Sequence, residues 1–371
     1  MSNFETDLEL IRQHDEYLRN NFFNKQLDSR DLGEIGLTYY HHDGESFDLE
    51  NFSLALFYGD SATYRLLISQ LKDQHKFKVL RTESFPGNEL VFDKLLNLIK
   101  RKSTVVPFVG AGFSVSAGCP SWSNYILQQA IKAQLDSEAI KQRLQSGEHE
   151  KVMEEVITAL TEPVFKRDFA SSFKNARIAP ALSPASEFNN LFTGSVITTN
   201  FDLVLEQSQD LPFEEKVIGN EYSGRFLKAI YEGDRYLLKL HGNLDEPRTR
   251  VLRFAEYEAA YGASEFDISL PIPKLLNKIF GSFTVLFMGC SLIADRYLKI
   301  LHAHYSENSD FMPEHFAILN APDDDAERVA RDQFLASHGI NPIWFEDGDW
   351  NAPAEILRLL KQEAFNIYDE Q

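Results

Sequence analysis

A turn of small residues, Gly110-Ala111-Gly112, follows the β-branched run TVVPFV and precedes a predicted helix that starts after Pro120. Glycine has no Cβ, so the backbone of such a turn can approach a ligand closely, and a phosphate-bearing nucleotide is the obvious candidate. A tight strand-to-helix connection uses the same residues. The turn by itself therefore leaves a nucleotide site and a purely structural turn as equal alternatives.

Three later apolar runs also end in residue types that can do chemistry. These residues are Thr199, Asn200 and Asp202 after the second run, His241 after the third, and Gly289, Cys290 and Ser291 after the fourth. Each has a structural alternative, because Asn and Asp are common in turns and at helix N-caps, and a single histidine is more often packed than catalytic. The carboxyl ends of parallel strands meet at one edge of a sheet, where ligands bind. The four segments together therefore predict one cleft.

The elements that would position these residues are short apolar runs separated by helical patterns. The runs are TVVPFV (104–109), SVITT (195–199), YLLKL (236–240), TVLFM (284–288), HFAIL (315–319) and NPIWF (341–345). Continuous apolar strands that alternate with helices indicate a parallel sheet covered on both faces. We therefore predict a doubly wound, Rossmann-like α/β fold with a helical insertion at about residues 137–180.

The turn signal Pro86-Gly87-Asn88 marks the predicted domain boundary. Residues 1–85 contain helical patterns and are predicted to form a small N-terminal accessory domain, to which the sequence assigns no role. Residues 86–371 are predicted to form the α/β domain that carries the cleft.

The composition excludes several classes of protein. The formal net charge of −19 argues against a broad nucleic-acid-binding face and against attachment to anionic membranes, since both need clustered Lys and Arg. No apolar run approaches the roughly 20 residues that span a bilayer, and the N-terminus is too polar for a signal peptide. The two cysteines, Cys119 and Cys290, form no CxxC pair and so exclude a zinc site built on thiolates. We predict a cytoplasmic protein without a metal.

Two further polar clusters have structural interpretations. Tyr40-His41-His42-Asp43 lies beside Gly44 in a polar stretch, which is typical of an exposed turn rather than a metal site. Asp323-Asp324-Asp325 precedes a helical pattern, where acidic residues favour a helix start. The chain has no GxxxxGKS/T, HExxH or GxSxG motif, so ATP hydrolysis, zinc proteolysis and serine-hydrolase activity lack support.

In chain order, GAGFSVSAG, ITTNFD, LKLHGN and MGCS resemble the landmark motifs of the sirtuin-like NAD-binding fold. The resemblance covers about residues 90–345, and the ordered set is much more specific than any one motif. Pro120-Ser121-Trp122-Ser123 resembles a bacterial branch of that family, whereas protein-deacylating sirtuins carry Pro-Asp-Phe-Arg at this place. The two cysteine pairs of the deacylase zinc module are also missing. Both departures argue against peptide deacylation and leave NAD⁺ binding intact.

The resemblance implies a site for NAD⁺ as a substrate. The residues that it places against NAD⁺ are Gly110, Ala111, Gly112, Ser114, Thr199, Asp202, Gly289, Cys290 and Ser291. The glycine turn would receive the pyrophosphate, the segment 289–291 would contact the adenosine ribose or the phosphates, and Asp202 would bind the carboxamide of nicotinamide. Asn200 would hold the nicotinamide ribose or an attacking water. His241 would act as general base on water or on a ribose hydroxyl.

The activity implied by the resemblance is hydrolysis of NAD⁺ to nicotinamide and ADP-ribose. Nicotinamide leaves from a cationic bond as a neutral group, so the oxocarbenium-like transition state needs electrostatic support and a placed nucleophile but no acid. Many members of this branch are antiphage effectors that deplete NAD⁺ in the infected cell. They are activated by oligomerisation or by a partner encoded nearby, such as a HerA-type ATPase or a short Argonaute. We therefore expect a homo-oligomer and either such a partner or a phage-derived trigger.

Two other functions stay open. An NAD-dependent deacylase would release nicotinamide only when an acyl-peptide is supplied, and a non-catalytic module would bind NAD⁺ or ADP-ribose without turnover. Two aromatic segments are also open to two interpretations. Phe254, Tyr257 and Tyr261 are spaced like one helical face, which predicts core packing first and the border of a pocket second. The stretch from Trp344 to Asp347, at the end of the last predicted strand, is a candidate for a contact with adenine.

Overall fold

A seven-stranded parallel sheet organises the larger part of the chain. The computed structural model describes residues 14–29, 51–102, 104–174, 184–188, 191–208, 212–219, 223–263 and 265–369. The strands are β1 (Val105–Val109), β2 (Val196–Thr198), β3 (Glu215–Ile218), β4 (Tyr236–Lys239), β5 (Thr284–Met288), β6 (His315–Asn320) and β7 (Ile340–Phe345). They lie in the order β3-β4-β2-β1-β5-β6-β7, and each neighbouring pair is parallel. The predicted doubly wound α/β fold is confirmed.

Helices connect and cover the strands. They are α1 (Asn21–Asp28), α2 (Phe52–Gly59), α3 (Ser61–Val79), α4 (Asn88–Lys100), α5 (Trp122–Lys132), α6 (Ser137–Gln145), α7 (His149–Leu160), α8 (Glu162–Lys174), α9 (Pro184–Phe188), α10 (Val204–Gln207), α11 (Ser223–Glu232), α12 (Phe254–Tyr261), α13 (Pro271–Ser282), α14 (Arg296–Asn308), α15 (Asp325–Ala336) and α16 (Ala352–Phe365). Short 3₁₀ helices occupy Ala111–Ser114, Pro247–Thr249 and Ser309–Phe311. Helix α15 begins at the acidic cluster as predicted, since the Asp324 carboxylate accepts a hydrogen bond from the Glu327 amide.

The central strands are continuous apolar runs because helices bury both of their faces. All side chains of β5 are buried, and in β1 only Val105 is partly exposed. Phe108 of β1 and Phe287 of β5 contact each other, with ring centroids 5.1 Å apart. Phe280 of α13 belongs to the same apolar core. Sheet and helices therefore share one core beneath the strand ends.

The prediction of six strands omits β3, which lies at the edge of the sheet. In this strand only Val217 and Ile218 are buried, while Lys216 is exposed. Two apolar residues are too few for a strand signal in the sequence. The strand is defined by its register with β4, from Glu215 opposite Tyr236 to Ile218 opposite Lys239.

The region predicted as a helical insertion contains α6, α7 and α8, and residues 175–180 of it lie outside the described residues. Phe169 and Phe173 of α8 pack in one apolar cluster with Tyr125 and Phe201. The rings of Phe169 and Phe201 are 5.1 Å apart. Because Phe201 directly follows Asn200 in the chain, the insertion supports the loop that follows β2.

Contacts divide the chain into two compact units, residues 1–84 with 359–371, and residues 85–358. The first unit has its own apolar core, in which Phe23, Phe57, Tyr64 and Tyr368 are buried. The second unit contains the whole sheet. In the described parts of both units, no helix is both long and apolar enough to cross a membrane.

Strand order changes direction at β1. Strands β2, β4 and β3 lie on one side of it, and β5, β6 and β7 on the other. In open parallel sheets, ligands bind in the crevice that such a reversal leaves at the carboxyl ends of the strands. The loops that follow β1 and β5 meet at this place.

Candidate active site

One cleft lies at the carboxyl ends of the central strands, and the loops after β1, β2, β4 and β5 all form part of its wall. The sequence-predicted residues in the wall are Gly110, Ala111, Gly112, Thr199, Asn200, Asp202, His241, Gly289, Cys290 and Ser291. The fold thus brings together four segments that are far apart in the chain. Ser114, the other predicted residue, is buried behind the wall and contacts Asn200 rather than the cleft.

The glycines after β1 and β5 allow two loops to pack backbone against backbone. The Gly112 amide donates to the Gly289 carbonyl at 2.9 Å, and the Gly110 amide donates to the Met288 carbonyl at 2.8 Å. A Cβ at Gly110 would lie only 2.6 Å from the Gly289 carbonyl oxygen. Gly289 itself has φ +68°, and a Cβ there would clash with the amide nitrogen of Phe113. Loop packing therefore requires these glycines, because a Cβ at each would meet the backbone of the other loop.

Asn200 has one half of its amide anchored and the other half without a partner. Its Nδ2 donates to the Gly110 carbonyl at 2.9 Å and to the Ser114 hydroxyl at 3.2 Å, and its backbone amide donates to Thr198 Oγ1 at 3.0 Å. Its Oδ1 is buried and accepts no hydrogen bond from the described residues. A buried acceptor without a donor is costly, so this oxygen is suited to a donor that enters the cleft, such as a ribose hydroxyl or a water.

Asp202 makes a hydrogen bond within its own loop and also lines the cleft. Its Oδ1 accepts from the Val204 amide at 2.9 Å, a turn contact across two residues, whereas the N-cap of α10 is Leu203 and not Asp202. Burial raises the pKa of the carboxyl group, and the positive charge of Lys239 opposes that effect. The carboxylate also lines the cleft, where it can accept a hydrogen bond from a ligand amide.

His241 lies between two tyrosine hydroxyls. Its Nε2 is 2.8 Å from the hydroxyl of Tyr261, and its Nδ1 is 3.4 Å from the hydroxyl of Tyr257. Both tyrosines belong to α12 and line the cleft. The sequence left two interpretations of this helical face, packing in the core and bordering a pocket, and the face serves as both. Burial lowers the pKa of His241 to about 3 and raises the pKa of each phenol. The imidazole is therefore neutral at physiological pH and the two hydroxyls are protonated.

The helical insertion adds residues to the wall that the sequence analysis missed. His149, the first residue of α7, has its Nε2 2.8 Å from the Ser123 hydroxyl. Glu150 pairs with Arg296 at 2.7 Å, and the Arg296 guanidinium lies 5.7 Å from the centre of the Tyr257 ring. No motif marks these residues in the sequence. Only the packing of α7 places them against the strand ends.

The far end of the cleft is formed by the ends of β6 and β7. Its wall there includes Asn320 and Phe345, with Trp350 after the strand. Trp344 does not line this wall, since its ring is buried and its Nε1 donates to the Asp332 carboxylate at 2.9 Å. Within the predicted stretch from 344 to 347, Phe345 is therefore the residue that can meet a ligand in this cleft.

Lys239 is the second feature that the sequence analysis missed. It is a charged residue in the apolar run YLLKL, and it is 1% exposed. Its Nζ donates to the backbone carbonyl of Asp202 at 2.7 Å and lies 3.3 Å from the Glu206 carboxylate. A lysine among buried strand residues was the available signal, because a buried cation requires partners.

In the described part of the chain, no group of three or more His, Cys, Asp or Glu side chains could hold a metal ion. Cys119 and Cys290 are both buried and unpaired, and burial raises the pKa of each thiol. The Cys290 thiol faces the carbonyls of Phe108 and Met288, each 3.7 Å from Sγ. Residues 40–43 lie outside the described residues.

Comparison with known proteins identifies the region around the cleft. No curated protein matches the chain. The family model of the SIR2-like domain matches residues 194–343, which is less than half of the chain. The matched range contains Asn200, Asp202, His241 and the loop after β5, but it begins beyond the glycine turn after β1. Residues 194–343 thus support a sirtuin-like family for this chain, and SIR2-like domains are typically NAD-using enzymes.

Proposed function

We propose that the protein is an NAD⁺ hydrolase that cleaves the bond between nicotinamide and ribose, giving nicotinamide and ADP-ribose. The observation that supports this most is the pairing of Asn200 with His241 in one cleft. Asn200 offers a buried, unpartnered Oδ1, and His241 offers a neutral imidazole. A module that only binds NAD⁺ can use the free acceptor for a ribose hydroxyl, but it needs no neutral base beside it.

The residues present fit the dinucleotide in three respects. The two glycine loops form part of the cleft wall with little side-chain bulk, which suits the approach of a pyrophosphate. Asn200 Oδ1 can accept from a ribose hydroxyl, and the Asp202 carboxylate can accept from a carboxamide NH₂ group. The apolar wall at Phe345 and Trp350 suits the face of an adenine ring.

The side chains have separate tasks in this proposal. Asp202 orients the nicotinamide ring through its carboxamide, and Asn200 orients the ribose or the attacking water. His241 accepts a proton from that water or from a ribose hydroxyl, while the Tyr261 hydroxyl at 2.8 Å keeps the imidazole in place. A histidine with a pKa of about 3 is a weak base. It is sufficient here, because nicotinamide departs as a neutral group and the nucleophile can lose its proton late.

Hydrolysis is favoured over deacylation by the wall around His241. This wall is formed by Tyr257 and Tyr261, with the ion pair of Arg296 and Glu150 beside Tyr257. The ion pair joins α14 to the helical insertion and is largely buried. A substrate as small as NAD⁺ can bind with this pair intact.

The proposal includes a biological role that rests on the resemblance to the bacterial branch. In this role the protein depletes NAD⁺ in an infected cell as an antiphage effector. It is switched on by self-association, by a protein encoded beside it such as a HerA-type ATPase or a short Argonaute, or by a phage-derived trigger. A basal activity close to zero for the isolated chain is compatible with this role.

The test is release of nicotinamide from NAD⁺, followed by chromatography. The purified chain is assayed alone, at concentrations that promote self-association, with the proteins encoded next to it, and with an acetyl-lysine peptide. We expect equal amounts of nicotinamide and ADP-ribose to form in at least one of the conditions without peptide. Release that requires the peptide would establish a deacylase. Tight NAD⁺ binding with no release in any condition would establish a binding module.

The pH dependence of the hydrolysis provides a second prediction. The ordinary pKa of histidine is about 6.5, but burial lowers the pKa of His241 to about 3. We therefore expect kcat at saturating NAD⁺ not to fall when the pH is lowered through about 6.5. The measurement is kcat between pH 5 and pH 8, with near-ultraviolet circular dichroism of the same samples. A folded protein whose kcat halves near pH 6.5 would contradict the neutral, buried base.

The free energy of unfolding is expected to depend on pH between pH 5 and pH 8 in a way that kcat does not. His241 and His315, each buried with a pKa of about 3, resist protonation in the folded state, whereas both take up protons near pH 6.5 in the unfolded chain. Their contribution to the free energy of unfolding is therefore fully present above pH 6.5 and falls as the pH is lowered toward 3. Urea unfolding at each pH separates this loss of stability from any loss of catalysis.

A further inference from the structure

The buried lysine of β4 lies next to the segment that carries Asn200 and Asp202. Lys239 is in register with Thr198 of β2, and the hydroxyl of Thr198 donates to the Val109 carbonyl at 2.9 Å and accepts from the Asn200 amide. On the same strand, Leu237, Leu238 and the following Leu240 are all buried and apolar. Lys239 is thus a buried cation in a strand whose neighbouring residues along the chain are apolar.

Such a placement is unfavourable unless the cation has partners. Removing an ammonium group from water costs several kcal/mol, and a hydrophobic residue of similar size would fill the same space without that cost. The partners of Lys239 are the Asp202 carbonyl at 2.7 Å and the Glu206 carboxylate at 3.3 Å. Both lie on the stretch that leads from β2 into α10. The ammonium is therefore directed at the loop rather than at the core.

Other contacts also hold this loop, among them the packing of Phe201 against Phe169 and a hydrogen bond between the Ser114 side chain and the Asp202 carboxylate. The Asp202 carboxylate accepts from the Val204 amide, and Asn200 is held by Gly110 and Ser114. The hydrogen bond from Lys239 to the Asp202 carbonyl holds the backbone of the residue whose side chain must face the ligand. Without it, the carboxylate keeps its bonds to the Val204 amide and the Ser114 side chain, but the peptide unit after Asp202 loses its bond to Lys239.

We propose that Lys239 is a positioning residue, which holds Asp202 in the orientation and charge state needed to bind the carboxamide of nicotinamide. This inference rests on the proposed function of the cleft. In this proposal Lys239 contributes to the recognition of nicotinamide, which is the leaving group, and does not contribute to binding of the ADP-ribose portion.

The charges around Asp202 agree with this role. Burial raises the pKa of the Asp202 carboxyl group, Lys239 of β4 lowers it, and Glu206 of α10 raises it. The thiol of Cys119 also faces this carboxylate, but burial and Asp202 raise its pKa to about 12, so it stays neutral. Lys239 is therefore the cation that favours the carboxylate form, which is the form that accepts a hydrogen bond from a carboxamide NH₂.

The experiment compares Lys239→Met with Glu206→Gln in the full chain. Nicotinamide and ADP-ribose are titrated separately by calorimetry, and nicotinamide is also measured as an inhibitor of NAD⁺ cleavage. For Lys239→Met we expect nicotinamide binding to weaken about ten- to hundredfold, as loss of a hydrogen bond to a charged group does. ADP-ribose binding should be unchanged. Glu206→Gln keeps the bond from Lys239 to the Asp202 carbonyl and should bind both ligands like the original chain.

The design separates failure of this inference from failure of the proposed function. If the original chain releases no nicotinamide in any condition, the hydrolase proposal fails, while the two calorimetric titrations still test Lys239. Equal weakening of nicotinamide and ADP-ribose, or no weakening of either, would show that Lys239 has only a structural role. Should Lys239→Met fail to fold, Lys239→Gln retains a donor without the charge, and it is expected to weaken nicotinamide alone, most strongly at low pH.

Discussion

Replacement of His241 by Ala is expected to lower kcat for NAD⁺ hydrolysis about 10²- to 10⁴-fold, the usual contribution of a general base. NAD⁺ binding should persist, because the glycine loops, Asn200 and Asp202 do not depend on the imidazole for their contacts. Single-turnover release of nicotinamide gives the rate, and calorimetry gives the affinity. His241→Gln fills more of the space and has no comparable base, so it should lose the same activity.

Two controls make the His241 result specific. His302 of α14 is exposed, and its Nδ1 lies 3.0 Å from the Ser337 carbonyl, so His302→Ala removes a histidine that does not line the cleft. Its kcat should equal that of the original chain. Unfolding in urea checks that the two His241 variants are folded, since they leave the hydroxyls of Tyr257 and Tyr261 without their partner. Full hydrolysis by a folded His241→Ala protein would exclude His241 as the base.

Replacement of Gly289 by Ala is expected to have the second large effect, a loss of about 10²-fold in kcat/KM, as for other displacements of about 1 Å in active sites. The added Cβ would clash with the Phe113 amide nitrogen and lie 2.8 Å from the Gly110 carbonyl oxygen. Both contacts are backbone, so the loops after β1 and β5 must separate. Asn200 is bonded to the same Gly110 carbonyl and would move with it.

Gly233→Ala is the matched control for the effect of backbone strain. Gly233 has φ +80°, close to the φ of +68° at Gly289, but no atom of the residues that the structure describes lies within 4 Å of a Cβ placed there. The left-handed conformation costs about 1–2 kcal/mol for a residue with a Cβ in either place. Gly233→Ala should therefore lose some stability and no activity. Equal kinetic losses in both variants would show that strain, and not the contact between the two loops, limits the rate.

Much of the fold could be predicted because it depends on local apolar patterning. Six of the seven strands coincide with apolar runs, since a strand buried on both faces takes mostly apolar residues, with Lys239 of β4 as a charged exception. The edge strand β3 could not be predicted from an apolar run, because only Val217 and Ile218 need to be apolar there. A sequence pattern therefore identifies the centre of such a sheet better than its margin.

The functional meaning of the glycines could not be predicted in the same way. Gly110, Gly112 and Gly289 suggest a loop made to approach a phosphate, and the tertiary structure adds that they are needed for one loop to approach the other. This distinction depends on the direction in which each Cβ would point, and a turn sequence does not encode that direction. The role of Ser114 could not be predicted either, because it follows the glycine turn in the chain but supports Asn200 from behind the cleft wall.

The amino-acid sequence by itself determined the α/β class, the order of the four segments and the types of side chain that Asn200, Asp202 and His241 bring to the strand ends. These follow from local periodicity and from residue chemistry. The tertiary structure alone decided that His241 lies between Tyr257 and Tyr261, that α7 supplies His149 and Glu150, and that Lys239 supports Asp202. Such contacts join residues that are distant in the chain, and burial then sets their protonation. Their energies arise only when the chain has excluded water from the cleft walls.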